Sequence, residues 1–370
     1  MKKIIFLKLY SDLLKFFLIS TFILVSIIWI MQPVNYLDIV SEDGHSLETY
    51  FWYSLLNLPK ILSKTFTLSF LLSLYYLLSK YEETNQLMIY WTNKISKKYF
   101  LNRIILMTLF YSFVLASISI WIVPFTQDKA RSFIRNSNLD FFTSLIKPKK
   151  FIDTVENLTI FLDEKKDNEI QKIFLKDASN SENIQVIIAK SGLLNNSDNK
   201  FLLLRNGIIL NQSKNLKGTN FSFKETSLDL DVYKTKTTTF SKIQDINSLD
   251  LLKCLNILEQ GRTEKFINFN CQNNFKLDIK QKIYERFYIP FYLILLSITL
   301  SFLIIMNHVN SNYKIWKLII LFTAIFFLAL SQISISMISE NNLKNIYILT
   351  ILPISIFIFY LMFYIKVSLR

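Results

Sequence analysis

The chain has 370 residues, 51% of them hydrophobic and 15% aromatic, and its 42 Lys and Arg outnumber 28 Asp and Glu for a formal charge of +14. That is too apolar for an ordinary soluble domain. The apolar residues come in blocks edged by basic ones, a pattern of membrane-surface contact that argues against nucleic-acid binding. The cysteines are only Cys254 and Cys271, which leaves no disulfide framework and no zinc cluster to build on.

An α-helical span needs about 20 mostly apolar residues to cross a hydrocarbon core about 30 Å thick. Six stretches qualify: 13–32, 53–78, 103–124, 286–306, 316–338 and 346–365. The first is too long for a signal peptide, and Trp29-Ile-Met-Gln-Pro33 offers no small-residue cleavage site, so it is expected to be retained. Orientation follows from the basic residues of the short loops. Lys2, Lys3 and Lys8 precede span 1, and Lys80, Lys94, Lys97 and Lys98 follow span 2. Lys314 and Lys317 lie between spans 4 and 5, and Lys366 and Arg370 end the chain. Residues 34–52 instead hold Asp38, Glu42, Asp43 and Glu48 with no Lys or Arg. Both termini are therefore expected in the cytoplasm and the segment 125–285 outside it.

The chain thus reads as an α-helical integral membrane protein with an inserted all-β domain: helices 1–3 in residues 1–124, an outside domain in 125–285, and helices 4–6 in 286–370. Within the outside segment, 158–162, 170–175, 184–189, 201–204, 207–210 and 220–224 look like short strands. Polar turns separate them at 167–168, 195–198 and Arg205-Asn-Gly207, as in an antiparallel sandwich or barrel-like sheet. Residues 126–146 and 247–260 look helical and connect the sheet to spans 3 and 4.

A phosphate-binding loop needs glycines to bring backbone N–H groups to the phosphates. Gly44, Gly192, Gly207, Gly218 and Gly261 all fall in segments placed outside, so any ATP used must be hydrolysed by another subunit. His45 and His308 lie on opposite sides of the membrane and read as solvated loop residues. No Ser-His-Asp or H-E-x-x-H arrangement occurs. The sequence calls for neither an enzyme nor a cofactor.

Two local features stand out. Lys60 and Lys64, four residues apart, share one helix face at the outer rim of span 2. Only 65–79 is apolar beyond them, about 22 Å at roughly 1.5 Å per residue. Charges so placed either bind an anionic ligand in a cavity or snorkel to head groups. The second feature is 82–98, expected to be one cytoplasmic helix. Its stripe of Leu87, Met88, Tyr90, Trp91 and Ile95 suits either a partner groove or the membrane interface. Cys254 and Cys271, both outside, are expected to be two buried free thiols, although a disulfide is permitted there.

At this point the chain resembles the LptF/LptG family, the permease subunits of the lipopolysaccharide export system. Trp29-Ile-Met-Gln-Pro-Val-Asn-Tyr-Leu-Asp38 is similar to the LptF-side pattern of a tryptophan followed by an N-Y-L-D-like segment, and Leu58-Pro59 fits the start of span 2. Lys147-Pro-Lys-Lys-Phe151 falls where the family has a P-G-x-F turn, with Lys149 in place of the glycine. Ala189-Lys-Ser-Gly192 and Leu204-Arg-Asn-Gly207 are similar to the A-x-x-G and L-x-N-G signals. Tyr284-Glu-Arg-Phe-Tyr-Ile-Pro290 loosely matches the E-x-x-x-R-x-x-x-P entry to span 4. In the S-E-L-x-x-x-x-x-x-G-I-S segment, Gln86 replaces the glutamate and Lys94 the glycine.

The resemblance implies a 3+3 helical arrangement around a periplasmic β-jellyroll in the bacterial inner membrane. It implies as partners a cytoplasmic ABC ATPase dimer (LptB-like), a second six-span permease (LptG-like), a single-span periplasmic protein (LptC-like) and lipopolysaccharide. It assigns Lys60 and Lys64 to the lipid A phosphates. Glu82, Glu83, Gln86, Leu87 and Trp91 become the contacts to the ATPase, with Glu82 or Glu83 supplying the charge that Gln86 lacks. A non-transporting envelope scaffold or receptor, and a lipoprotein-releasing permease, are the competing readings.

Overall fold

The computed structural model describes residues 2–41, 47–133, 148–155, 157–166, 169–178, 183–195, 201–213, 219–229, 243–261, 264–265 and 270–368. Internal packing divides the chain into a helical unit, Met1–Met31 with Asn57–Asp128 and Lys242–Arg370, and a second unit, Gln32–Leu56 with Lys129–Ser241.

Six helices are long and apolar enough to cross a membrane, Lys3–Gln32, Tyr50–Glu83, Lys97–Phe133, Asn273–Ile305, Tyr313–Met337 and Asn342–Ser368, each containing or overlapping a span read from the sequence. In chain order the helices are α1 (Lys2–Ser41), α2 (Leu47–Leu56), α3 (Leu58–Glu83), α4 (Gln86–Thr92) and α5 (Lys97–Phe133). After the sheet come α6 (Ser248–Glu259), α7 (Lys276–Phe287), α8 (Tyr292–Ser301), α9 (Tyr313–Met337) and α10 (Asn342–Ser368). The helix expected over 126–146 is present to Phe133, and 134–147 lie outside the described residues.

Helix α8 is the hub of the helical unit and packs on α3, α5, α9 and α10. Its Leu293, Leu295, Leu296, Ile298 and Leu300 are buried. The hydroxyls of Ser297, Thr299 and Ser301 donate to carbonyls one turn back, which satisfies them where no water reaches. By contrast α1, α9 and α10 expose Ile, Leu and Phe along much of their length, as helices bordering lipid or another apolar chain do.

The basic residues of the expected cytoplasmic loops gather at one end of this unit on aromatic rings. Lys80 lies over Phe16, Lys97 over Trp91, Lys98 over Tyr364, Lys317 over Tyr75 and Lys366 over Trp316. Cations on ring faces gain electrostatic attraction while their stems cover apolar surface.

At the other end α5 carries a π-turn at Ile118–Ile122, which frees a main-chain acceptor. The Ser248 hydroxyl donates to the Ile120 carbonyl at 2.7 Å. Arg286, 2% exposed, donates from Nη1 to Ser248 Oγ at 2.9 Å and to the Ile246 carbonyl at 2.8 Å, and from Nη2 to the Gln244 carbonyl at 2.8 Å. This guanidinium therefore pins 244–248, and through Ser248 the π-turn of α5, to the entry of the fourth span. Next to it, Cys254 and Cys271 form a disulfide, with Cα atoms 5.9 Å apart, inside a cluster of Ile246, Leu251, Leu258 and Ile279. The expectation of free thiols is overturned. The short antiparallel ladder β7 (Glu264–Lys265) to β8 (Asn270–Cys271) turns the chain back so that Cys271 meets the inner face of α6.

The second unit holds one antiparallel sheet of β1 (Phe151–Val155), β2 (Leu158–Lys166), β3 (Glu169–Asp177), β4 (Asn183–Asn195), β5 (Phe201–Ser213) and β6 (Thr219–Asp229), paired in sequential order. The inserted antiparallel domain expected from strand spacing is thus present. The strands read separately at 201–204 and 207–210 are one strand. What looked like a turn at Arg205-Asn-Gly207 is an irregularity within it, with Asn206 at φ 52°.

That irregularity runs across five strands. Asp163, Lys172, Lys190, Asn206 and Lys224 drop out of the paired register together, and Lys172 is left-handed like Asn206. Each strand gains one residue there, so the buried positions shift parity, from Leu175 and Ile173 to Ile170 on β3 and from Ile187 and Ala189 to Gly192 on β4. Strict alternation read from sequence would place one half of each strand inside out. At Gly207 an added Cβ would lie 2.4 Å from the Ile188 carbonyl oxygen and 2.5 Å from the Phe223 ring. Gly207→Ala should therefore destabilise the sheet by roughly 2–3 kcal/mol, read as earlier thermal loss of protease resistance in the β-domain. An unchanged melting profile would contradict the close approach.

Candidate functional site

Lys60 and Lys64 lie in the first two turns of α3, after Pro59 sets the helix start. Asn57, just before them, is buried and accepts from Gln127 Nε2 at 2.7 Å, which fixes the entry of α3 against α5. Ile61, Thr65 and Phe66 turn into the core. Lys60 is half-buried and Lys64 exposed, in one i, i+4 row with exposed Leu68 and Leu72. The two lysines therefore share the open face of the helix, beside apolar surface rather than within the core of the chain.

The segment 82–98 is not one helix. Glu82 and Glu83 end α3, Asn85 is left-handed at φ 59°, α4 is only seven residues long, and Lys94 is left-handed at φ 54°. The apolar stripe is largely consumed by the chain's own core. Leu87 is 1% exposed, and Tyr90 and Ile95 are equally buried. Tyr90 packs edge-on against Phe6 and Phe100 and donates to the Ile5 carbonyl at 3.2 Å; burial pushes its hydroxyl well above the ordinary tyrosine range. Trp91 packs on Phe100. Leu87 is thus closed to any partner. Open instead are Met88 at 54% and Ile89 at 50% exposure, of which the sequence singled out only Met88. Gln86 is half-buried at the start of α4.

The carboxylates expected to face a partner hold the neighbouring loop. Glu82, buried, accepts the His308 backbone N–H at 3.1 Å, with His308 Nδ1 at 3.8 Å. Glu83 pairs with Lys317 at 2.8 Å. His308 is therefore no freely solvated loop residue, because Glu82 partly covers it; His45 lies outside the described residues. Lys317 stood out in sequence only as a topology signal, since its partner is more than 200 positions away in the chain.

Residues 9–366 match the family described as lipopolysaccharide export system permease LptF/LptG, across both helical halves and the inserted sheet. The chain belongs to the LptF/LptG family. It is also 25% identical over 186 residues to the uncharacterized protein RP871 of Rickettsia prowazekii (strain Madrid E). The match covers 50% of this chain and spans about half, 51%, of the length of that relative.

Membership fits the six apolar helices, each long enough to cross a membrane. It also gives meaning to the chain's two missing glycines. Lys94 and Lys149, which stand where the family pattern has glycine, both have positive φ, 54° and 62°. The G-I-S triplet then has three separate jobs. Residue 94 closes α4 in a left-handed turn, with Lys94 N–H to the Trp91 carbonyl and Ile95 N–H to the Tyr90 carbonyl, both at 3.1 Å. Ile95 supplies the apolar contact of that stop, and Ser96 caps α5 by accepting from Tyr99 N–H at 3.2 Å. Lys149 keeps its own backbone bond to the Leu162 carbonyl at 2.7 Å. Lys94→Gly and Lys149→Gly should each raise stability by about 1 kcal/mol, seen as a higher melting temperature in detergent. A lower one would mean that the lysine side chains contribute more than the backbone strain removes.

Proposed function

We propose that this chain is a permease subunit of an ABC-type lipopolysaccharide exporter. It takes lipopolysaccharide from the outer leaflet of the inner membrane and passes it through its β-domain toward a periplasmic bridge. The family match over 9–366 carries this reading, since it takes in every part such a subunit needs except the energy source. A separate cytoplasmic ATPase dimer supplies that, beneath this chain and a second six-span permease, with a single-span periplasmic protein as the next carrier. The segment Asn35-Tyr-Leu-Asp38 favours the LptF-like member of the pair.

Both termini are assigned to the cytoplasm and the β-domain to the periplasm. The Cys254–Cys271 disulfide supports this, because such bonds persist in oxidising compartments. The ATPase contact is assigned to the exposed surface of α4, Met88 and Ile89, with Gln86 at its edge. Glu82, Glu83 and Trp91 support that surface from behind rather than meeting the partner first.

Lys60 and Lys64 are assigned to the phosphates of the incoming lipid. A Lys60→Glu/Lys64→Glu variant should assemble normally and export lipopolysaccharide at least tenfold more slowly, since each reversal turns an attraction worth about 1 kcal/mol or more into repulsion. Normal export by a folded double variant would refute the assignment. The complex itself is tested by purifying the tagged chain from native membranes in mild detergent. Recovery of an ATPase, a second permease and lipid A species is the expected result. A chain that purifies with periplasmic partners and no ATPase would be a scaffold.

A further inference from the structure

Arg103 is a charge within a membrane-spanning helix. Ser96 caps α5, and Arg103 stands seven residues further in, about 10 Å along the axis and past Lys97 and Lys98. Its side chain leans back one turn, as helical side chains do, and Nε and Nη2 both donate to the Tyr99 hydroxyl, at 2.9 and 2.5 Å. The guanidinium carbon lies 5.1 Å from the Tyr99 ring centroid and 5.9 Å from that of Phe6 on α1, with Tyr10 beside it. Phe6, Tyr10 and Tyr99 hold the cation in place without neutralising it. The nearest carboxylate in sequence on either helix, Asp12, already accepts from the Tyr81 hydroxyl of α3 at 2.7 Å.

Two donors are left over. Nη1 has no acceptor among the described residues, and the Tyr99 oxygen, having accepted twice, keeps its own hydrogen to give. A cation held at this depth without a counter-ion calls for an anionic acceptor. Beyond Arg103 the same stripe of α5 is apolar and open, with Leu106 60% and Phe110 66% exposed. Helix α1 meets α5 through Phe6 on Tyr99 and Phe17 on Tyr111, and along that line it exposes Leu7, Leu14 and Leu18, with exposed Lys3 at the end. The crevice is thus apolar along its length and cationic at one end. Free phosphate would leave the apolar strip unused, and an acidic protein loop would bring polar backbone to it.

We propose that the α1–α5 crevice binds an anionic phospholipid, its phosphate on Arg103 Nη1 and the Tyr99 hydroxyl and its chains on Leu106, Phe110 and Leu14. The basic loops assign it to the cytoplasmic leaflet, at the opposite end of the spans from Lys60 and Lys64. Nothing in the site depends on what the chain exports. Phosphatidylglycerol fits it better than phosphatidylcholine, whose phosphate comes with an ammonium that Arg103 repels.

The test uses the full chain as purified from native membranes, in nanodiscs of equal phosphatidylglycerol and phosphatidylcholine. The photocrosslinker p-benzoylphenylalanine replaces Leu106 or, as control, Phe322, which is exposed ten residues past the Asn312 cap of α9 as Leu106 is ten past Ser96. Mass spectrometry of the adducts should show phosphatidylglycerol favoured about fivefold at position 106, and the supplied ratio at 322. Arg103→Gln should erase the preference, and Tyr99→Phe, which keeps ring and charge, should lower it to about twofold. Lys314→Gln, which removes an exposed cation at the same end, should leave it unchanged. Equal preference at 106 and 322, or a preference that survives Arg103→Gln, would reduce Arg103 to one more interfacial cation and overturn the site. So would full competition by 50 mM inorganic phosphate, the mark of a free-anion site, or an adduct at 106 to another protein, the mark of a subunit interface.

Discussion

Arg286→Ala should lower folding stability by about 3–5 kcal/mol, the largest single-residue effect expected here. The guanidinium is buried and donates to Gln244 and Ile246 carbonyls and to Ser248 Oγ, all within 2.9 Å. Charge-assisted hydrogen bonds contribute roughly 1.5–3 kcal/mol each, and buried acceptors left without a donor add a desolvation cost. The loss is less than the sum because 244–248 can loosen and take up water. Ser248 also serves the π-turn carbonyl of Ile120, so the damage should spread to α5. Arg286→Lys, with one compact ammonium in place of a fork, should recover less than half. Chemical unfolding in detergent reads the size of the effect. Hydrogen exchange should show 118–122 and 244–248 losing protection together, and loss at 244–248 alone would break the proposed chain from Arg286 through Ser248 to α5.

Breaking the disulfide should rank second. Cys254 and Cys271 are 17 residues apart. Closing a loop of that size removes unfolded-chain entropy worth about 3 kcal/mol. Cys254→Ala/Cys271→Ala should lose that amount while the cluster of Leu251, Leu258 and Ile279 keeps α6 folded at moderate temperature. Alkylation with and without reductant decides whether the bond exists in the native protein: the wild-type chain should be labelled only after reduction. Labelling before reduction would restore the free thiols that the sequence suggested and would remove one support for the periplasmic assignment.

The helical frame was legible from sequence because membrane solubility is a local property. Twenty apolar residues in a row need no partner to declare themselves, and six such runs became six helices. The basic loops were legible for the same reason. Individual roles were harder to read wherever a contact joins distant segments. The stripe on 82–98 was correctly seen as apolar, yet sequence could not say that Phe6 and Phe100 would cover Tyr90 and leave Met88 and Ile89 open. Glu82 and Glu83 read as contacts to a partner because His308 and Lys317 lie beyond two further spans.

Composition, hydrophobic run length and loop charge thus determined by themselves that this chain is a six-span membrane protein with an inserted antiparallel domain. Tertiary structure alone decided which polar groups are spent inside the protein and which stay exposed. It paired Cys254 with Cys271, buried Leu87, set Arg286 against 244–248, and aligned five off-register residues in one row across the sheet. The division has a physical cause. Transfer of a residue to lipid depends on that residue and its near neighbours. Pairing, burial and register depend on strands and helices far apart in the chain meeting in space, and the energies that decide them belong to the pair.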